Sequence, residues 1–287
     1  MAILKAIRID QWVKNVLIFI PIFTSGSISF DLFQVSFFVF IGFSFVVSST
    51  YILNDLVDIK SDRIHPKKNK RPIANGIYHK NFWFILSFVL FLFGNYIIFL
   101  INNNLLIFNF IYCLITLSYS LKLKYIVFFD IFSIVSLFIL RVFLGGASAN
   151  IDISIELILF VALSSLGIVS GKKASIMKNE LLLNTKIRVF LDKNYSSKFL
   201  TFTTKYSLLL SSAIYLYWVV NENSFDLVPY KMMCLILSFL CLLNFNFYFI
   251  KETKRGETEE ILNTLLKNPK LFLSISLFLL FSVLGIL

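Results

Sequence analysis

The feature that most restricts the fold of this chain is a series of apolar runs, each close to the roughly 20 residues that a helix needs to cross a bilayer. Hydrophobic residues make up 58% of the 287 residues and charged residues only 15%, a balance far from that of soluble domains. We therefore predict a single all-α domain over residues 1–287, a polytopic membrane bundle of nine transmembrane helices. The predicted helices cover residues 12–25, 31–53, 81–101, 105–121, 126–146, 153–170, 200–220, 231–250 and 271–286.

The distribution of basic residues predicts how these helices are oriented. Of the 27 lysines and arginines, 24 lie in the N-terminal segment and in the stretches 55–80, 118–125, 171–199 and 251–270. The positive-inside rule places these segments on the cytoplasmic side of the inner (cytoplasmic) membrane, and the C-terminus on the other side. Because topology accounts for the net charge of +11, we exclude nucleic acid as a partner.

The loops on the opposite side are short and carry no lysine or arginine: 26–29, 102–104, 147–152 and 221–229. We therefore expect the active site at the cytoplasmic mouth of the bundle. The N-terminal segment lacks the apolar core and cleavage site of a signal peptide, so we expect it to stay in the mature protein.

Three aspartates follow the second predicted helix. If that helix continues through Asp62, then Asp55, Asp58 and Asp62 have i, i+3, i+7 spacing and share one face. Two carboxylates about 6 Å apart repel by about 3 kcal/mol at an effective dielectric constant near 20, which favours a bound cation such as Mg²⁺. The alternative is a solvated helix end neutralised by Lys60 and Arg63. Acids beside a membrane favour the functional interpretation.

A basic run follows the acids directly. It comprises Lys67, Lys68, Lys70 and Arg71. These side chains offer phosphate oxygens a second set of partners, so the whole stretch is typical of a site for a phosphorylated ligand.

Two further charges, Asp130 and Arg141, lie inside the fifth predicted helix. They are eleven residues apart, which places them on nearly the same face about 16 Å apart along the axis. Charges at that depth face the bundle interior, and we interpret them as part of a polar site. The polar stretches 11–15 and 119–124 are either interfacial anchors or part of the same site.

These stretches together resemble the UbiA superfamily of intramembrane prenyltransferases. Its first signature is similar to Asn54-Asp55-x-x-Asp58-x-x-x-Asp62, followed by Arg63, His65-Pro66 and Arg71-Pro72-Ile73. The remaining set resembles the decaprenyl-phosphate phosphoribosyltransferase branch: Gln11-Trp12-x-Lys14-Asn15, Tyr119-Ser120-x-x-Leu123-Lys124, Asp130 and Arg141 ahead of Gly145-Gly146, and Gly171-Lys172-Lys173. The resemblance covers nearly the whole chain.

The later cytoplasmic loop separates this branch from conventional members. Those members carry a second aspartate-rich motif there, which holds a prenyl diphosphate through Mg²⁺. This chain has Lys172 and Lys173 and no D-x-x-x-D, which argues against a conventional aromatic prenyltransferase. Branch members usually carry an acid soon after the basic pair, where this chain has Ile176. Glu180 comes later, seven residues after Lys173, and could share a helix face with it.

The resemblance implies a Mg²⁺-dependent phosphoribosyltransferase. It would move 5-phosphoribose from phosphoribosyl diphosphate to a polyprenyl (decaprenyl-like) phosphate in the bilayer and release diphosphate; formation of a homo-oligomer is left open. Asp55, Asp58 and Asp62 would hold Mg²⁺ and carry catalysis. The implied substrate-binding residues are Lys14, Asn15, Asn54, Arg63, Lys67, Arg71, Tyr119, Lys122, Lys124, Asp130, Arg141, Lys172 and Lys173.

Two alternatives remain open at this point. A conventional transfer of a prenyl group to a small acceptor predicts diphosphate binding at both loops and indifference to phosphoribosyl diphosphate. A cation-coupled membrane transporter, with the aspartates binding the coupling ion, predicts flux that depends on an ion gradient and no covalent product.

Overall fold

The structure is a computed structural model that describes residues 2–26, 28–183, 185–223 and 229–287, without the side chains of residues 222 and 223. Over these residues it contains helices and no β-strand, so the predicted all-α class is confirmed. The chain forms two compact units, Met1–Ile153 and Ser154–Leu287. That both belong to a single domain stays a prediction.

Over its described residues, the first unit contains seven α-helices and a long 3₁₀ helix. They are α1 (Ala2–Ile7), the 3₁₀ helix Ile9–Phe19, α2 (Ile20–Thr24), α3 (Phe30–Val57), α4 (Ile59–Ile64), α5 (Lys80–Ile101), α6 (Leu106–Leu121) and α7 (Phe129–Ala149). Short 3₁₀ turns cover Lys68–Lys70, Asn103–Leu105 and Leu123–Tyr125.

The second unit contains six α-helices over its described residues. They are α8 (Ile155–Lys178), α9 (Lys186–Asn194), α10 (Ser197–Asn223), α11 (Pro229–Arg255), α12 (Ile261–Lys267) and α13 (Pro269–Ile286), with a 3₁₀ turn at Glu180–Leu182.

Seven helices of the described chain are long and apolar enough to cross a membrane: α3, α5, α6 with its preceding turn, α7, α8, α11 and α13. They coincide with seven of the predicted helices. The predicted helix 12–25 is instead a 3₁₀ helix followed by α2, which has Pro21 in its first turn. The predicted helix 200–220 lies within α10, which is not among the seven. The count of nine and the cytoplasmic orientation stay predictions.

Glycines allow the helices of the first unit to approach closely. A Cβ atom on Gly94 of α5 would lie 2.4 Å from the carbonyl oxygen of Gly42 on α3. A Cβ atom on Gly145 of α7 would lie 2.1 Å from the carbonyl oxygen of Ile18 in the 3₁₀ helix. Small residues permit such backbone contacts between membrane helices. Gly145 therefore fixes how the 3₁₀ helix lies against α7, and both elements carry predicted site residues.

The second unit is held together by polar contacts as well as apolar packing. The hydroxyl of Tyr215 on α10 lies 2.6 Å from Ser238 Oγ on α11 and 3.0 Å from Ser282 Oγ on α13. Asn246 of α11 donates to Ser212 Oγ of α10 at 2.8 Å. Hydrogen bonds of this kind link helices where lipid offers no polar partner.

Candidate functional site

The centre of the candidate site is a pair of buried carboxylates that share one guanidinium. Arg71 Nη1 lies 3.0 Å from Asp55 Oδ1 and 2.7 Å from Asp62 Oδ2. Asp55 comes from α3, Asp62 from α4, and Arg71 from the loop that follows, and both carboxylate side chains are only 3% exposed. Because both carboxylates contact the same nitrogen of Arg71, a positive charge is favoured at the point between them.

The helix that carries the aspartates is interrupted at Asp58, so the condition for the i, i+3, i+7 face, one helix that continues through Asp62, is not met. α3 ends at Val57, Asp58 has φ −90° and ψ 6°, and α4 begins at Ile59. The N–H of Asp58 still donates to Asn54 and that of Asp62 to Asp58. Asp58 contacts a different cation from Asp55 and Asp62.

That cation is Lys124, from the 3₁₀ turn after α6. Its Nζ lies 2.7 Å from Asp58 Oδ1. Two other predicted site residues lie at the end of α6, just before Lys124. Tyr119 is half-buried and Lys122 is exposed. Asp130, in the first turn of α7, is completely buried.

Arg8 is a residue of the site that the sequence did not predict. Its Nη2 lies 2.5 Å from Asp55 Oδ1, and its guanidinium lies 4.8 Å from the centre of the Tyr51 ring. The backbone of Arg8 is left-handed, with φ 55° and ψ 54°, a conformation uncommon for residues other than glycine. The sequence marked Arg8 in one way only: it is a basic residue three positions before the polar stretch 11–15.

The loop after α4 supplies further cations. Lys68 Nζ lies 4.0 Å from Asp62 Oδ1. Burial lowers the pKa of Lys68 and the charge of Arg71 lowers it further, while Asp62 opposes both. The predicted ligand Arg63 donates from Nε to the carbonyl of Ala74 at 3.0 Å, which ties the two ends of this loop together. Lys67 is exposed.

A second polar cluster surrounds Arg141 of α7, which is 3% exposed. Its Nε donates to Asn15 Oδ1 at 2.9 Å and its Nη2 to the Tyr112 hydroxyl at 3.3 Å, and Nη1 donates to the carbonyl of Leu137. Asn15 donates in turn to Ser44 Oγ at 2.9 Å. The structure thus joins Asn15 of the stretch 11–15 to Arg141 in one polar network, a contact that the sequence did not predict. Half-buried Lys14 precedes Asn15.

The predicted residues Lys172 and Lys173 lie in the second unit, on α8. Lys173 is 4% exposed, whereas Lys172 is exposed. Glu180 does not share their helix face, because α8 ends at Lys178 and Asn179 is extended.

Asp55 and Asp62 offer carboxylate oxygens of the kind that could hold Mg²⁺. Among the described residues, no three acidic, histidine or cysteine side chains lie close enough together to hold a metal ion. The donor set nevertheless fits: carboxylate oxygens are the ligands that Mg²⁺ takes, usually one or two of them beside water and phosphate oxygens. Asp55 and Asp62 already converge on one positive group, which is Arg71.

The fold and this site define an integral membrane protein that places paired carboxylates among clustered arginines and lysines, an arrangement suited to phosphorylated substrates. The chain belongs to the UbiA prenyltransferase family, whose model matches residues 16–257.

Curated relatives share most of the chain. A decaprenyl-phosphate phosphoribosyltransferase from Mycolicibacterium smegmatis is 31% identical, over 77% of this chain and 71% of the relative. A decaprenyl-phosphate phosphoribosyltransferase from Mycobacterium tuberculosis is 29% identical, over 78% of this chain and 76% of the relative. A solved structure of a UbiA homolog from Archaeoglobus fulgidus, bound to DMAPP and Mg²⁺, has a TM-score of 0.72 over 99% of this chain and 98% of that chain. At 11% identity it shows the shared fold alone.

Proposed function

We propose that this protein is a polyprenyl-phosphate phosphoribosyltransferase. It transfers 5-phosphoribose from phosphoribosyl diphosphate to the phosphate of a polyprenyl (decaprenyl-like) lipid and releases diphosphate. The observation that carries the proposal is that the buried carboxylates of Asp55 and Asp62 both bond to Arg71. Arg8 adds a second positive charge beside Asp55, and Lys68 adds one beside Asp62. The names of the curated relatives support the same activity.

The reaction breaks one bond and forms one. A phosphate oxygen of the lipid attacks the anomeric carbon of the ribose, and the bond from that carbon to the diphosphate oxygen breaks, so the electron pair leaves with diphosphate. A phosphate monoester is already anionic at neutral pH, so no general base is required. The demand on the protein is alignment and stabilisation of the leaving group.

Arginines suit that demand, because a guanidinium binds phosphate oxygens through two parallel hydrogen bonds. Arg71 and Arg8 hold Asp55 in the structure. In the proposed complex they bind the diphosphate of phosphoribosyl diphosphate. Lys68 and Lys124 add charge at the same site, and Asn54 supports it.

Asp55, Asp58 and Asp62 would hold Mg²⁺. When bound, the ion supplies positive charge to the leaving diphosphate and helps to orient it. For each carboxylate to reach the metal, Arg71 must release Asp55 and Asp62, Arg8 must release Asp55, and Lys124 must release Asp58.

The remaining predicted residues are assigned to the substrates. Lys14, Asn15 and Arg141 of the first unit are proposed to bind a substrate phosphate. Lys172 and Lys173, on α8 of the second unit, are proposed as substrate-binding residues in their own right. Tyr119, Lys122, Asp130, Arg63 and Lys67 complete the proposed binding set, on the side that we place in the cytoplasm.

The test is a turnover assay on the purified protein in detergent with Mg²⁺ and a polyprenyl phosphate. Two samples of phosphoribosyl diphosphate are compared, one labelled in the ribose and one in the β-phosphate. We expect ribose label in the extracted lipid, and β-label only in soluble diphosphate released in equal amount.

Either of two results contradicts the proposal. Both labels in the lipid would mean that diphosphate is not the leaving group. No lipid label, together with consumption of a prenyl diphosphate supplied with a small acceptor, would identify a conventional prenyltransferase.

A further inference from the structure

A basic groove lies entirely within the second unit. Its volume is about 420 Å³, and its lining includes four lysines: Lys178, Lys198, Lys205 and Lys254. All four side chains are exposed. None of the described residues that line it is acidic, so an anion is the ligand that would relieve the repulsion among the four charges.

The groove is formed at the ends of three helices. Lys178 is the last residue of α8, Lys254 is in the last turn of α11, and Lys198 is in the first turn of α10. Along α10 the lining residues Lys198, Thr201 and Lys205 follow i, i+3, i+7 spacing and therefore share one helix face.

One of the lysines is held in place. Lys178 Nζ donates to the carbonyls of Thr253 at 3.2 Å and Lys254 at 2.9 Å. These two bonds use two of the three protons of the ammonium group and leave one for a ligand. The hydroxyls of Ser197 and Thr201 also line the groove, which adds neutral donors between the charges.

One wall of the groove is aromatic and faces outward. Phe202 lines the groove, is 58% exposed, and packs on Tyr206, with ring centres 4.1 Å apart. Tyr206 is itself 49% exposed, and Lys205 lies 5.3 Å from its ring centre. Exposed aromatic rings at the ends of membrane helices are typical of the bilayer interface.

We propose that this groove binds the phosphate headgroup of an anionic bilayer phospholipid, with the glycerol and upper acyl chains against Phe202 and Tyr206. Basic pockets between membrane helices at the interface are suited to such headgroups. All the described residues that line the groove belong to the second unit, whereas the aspartate site belongs to the first. Lipid held there ties together the ends of α8, α10 and α11.

The test measures lipid binding by native mass spectrometry on the full chain in detergent. Phosphatidylglycerol is titrated against phosphatidylcholine with the same acyl chains. The variant is Lys198→Gln/Lys205→Gln, which spares Lys178 and its contacts to α11. The matched control is Lys186→Gln/Lys193→Gln on α9, which removes two exposed lysines of the same unit that do not line the groove.

We expect phosphatidylglycerol to bind the wild type and the control more tightly than phosphatidylcholine. The groove variant should lose about 25-fold in phosphatidylglycerol affinity, since each lysine near an anionic surface contributes about fivefold. Equal loss in both variants would overturn the proposal, because it would show that only net charge matters.

Two further arms separate the sources of phosphate. Binding of a polyprenyl phosphate that is tighter than that of phosphatidylglycerol, and that is lost in Lys198→Gln/Lys205→Gln, would overturn the assignment in favour of a substrate site in the groove. Displacement of phosphatidylglycerol by millimolar inorganic phosphate would overturn it in favour of a free-anion site. Binding is read without turnover, so the result does not depend on the proposed reaction.

Discussion

At the scale of single residues, the site depends on which cation each aspartate contacts. Asp55 and Asp62 share Arg71, whereas Asp58 pairs with Lys124. The acids and the basic run could be predicted from residue types and spacing. The partners Arg8 and Lys124 could not be assigned, because they lie 47 and 66 positions from their aspartates, and helical spacing relates only residues a few positions apart.

The substitution Asp58→Asn should reduce Mg²⁺-dependent turnover by at least about 100-fold, because it removes a proposed metal ligand and its charge. The fold should persist, since the Asp58 side chain is 20% exposed and not part of the core. Turnover and the thermal unfolding midpoint are measured together. Asp192→Asn, in the exposed pair with Arg188, is the control. Full activity of Asp58→Asn would remove this residue from the metal site.

The substitution Arg71→Gln should lower the free energy of unfolding in Mg²⁺-free buffer by about 1–3 kcal/mol. Removing one partner of a fully buried ion pair costs about 3–5 kcal/mol. We expect a smaller loss here, because the Arg71 side chain is 27% exposed and solvent screens its charge. Added Mg²⁺ should then stabilise the variant more than the wild type, because Arg71 no longer competes for Asp55 and Asp62.

The readout for this variant is the thermal midpoint with and without MgCl₂. The control is Arg255→Gln, in the more exposed pair with Glu252. It should leave the thermal midpoint unchanged both with and without MgCl₂. An equal gain from Mg²⁺ in Arg71→Gln and wild type would show that the ion does not bind between these carboxylates.

At the scale of helices, close approach decides how the site is assembled. The sequence predicted most helices within a few residues, because their apolar runs are long. It did not predict the interruption at Asp58, which rests on a single ψ angle of 6°. Gly145-Gly146 was noted as part of a motif, and the structure gives a physical reason at Gly145: the backbone of Ile18 occupies the space of a side chain.

Gly145→Val should therefore displace the 3₁₀ helix from α7 and disturb the bond between Asn15 and Arg141. We expect a loss of about 1–3 kcal/mol in stability, as for other overpacked sites, and a rise in KM for the polyprenyl phosphate. Phe143→Leu, at a 38% exposed position of the same helix, is the control. A Gly145→Val protein with wild-type stability and KM would contradict the role given to this contact.

At the scale of the whole molecule, the number of membrane crossings is the main open prediction. Nine crossings place the N-terminal segment and the loop before α3 on opposite sides, whereas they lie on one side if the stretch 12–25 does not cross. The 3₁₀ helix Ile9–Phe19 and Pro21 make this stretch unlike the other predicted spans.

Single-cysteine labelling in intact cells distinguishes the two topologies. After the three native cysteines are replaced by serine, Lys5→Cys and Ile28→Cys are exposed to a membrane-impermeant thiol reagent. We expect Ile28→Cys to react and Lys5→Cys to react only after the membrane is permeabilised. The same reactivity at both positions would show that the stretch 12–25 does not cross the membrane, so that nine crossings is too many.

The sequence by itself determined that this is a helical membrane protein, because long apolar runs have no other stable solution in a bilayer. It also indicated Asp55, Asp58, Asp62 and the basic run after them as candidate site residues, since charges are few in so apolar a chain, but it did not indicate Arg8. Only the tertiary structure decided that Arg8 and Arg71 hold Asp55, that Lys124 holds Asp58, and that Arg141 bonds Asn15. Such pairs depend on how distant helices pack, and packing follows from the three-dimensional fit of many side chains that no local pattern records.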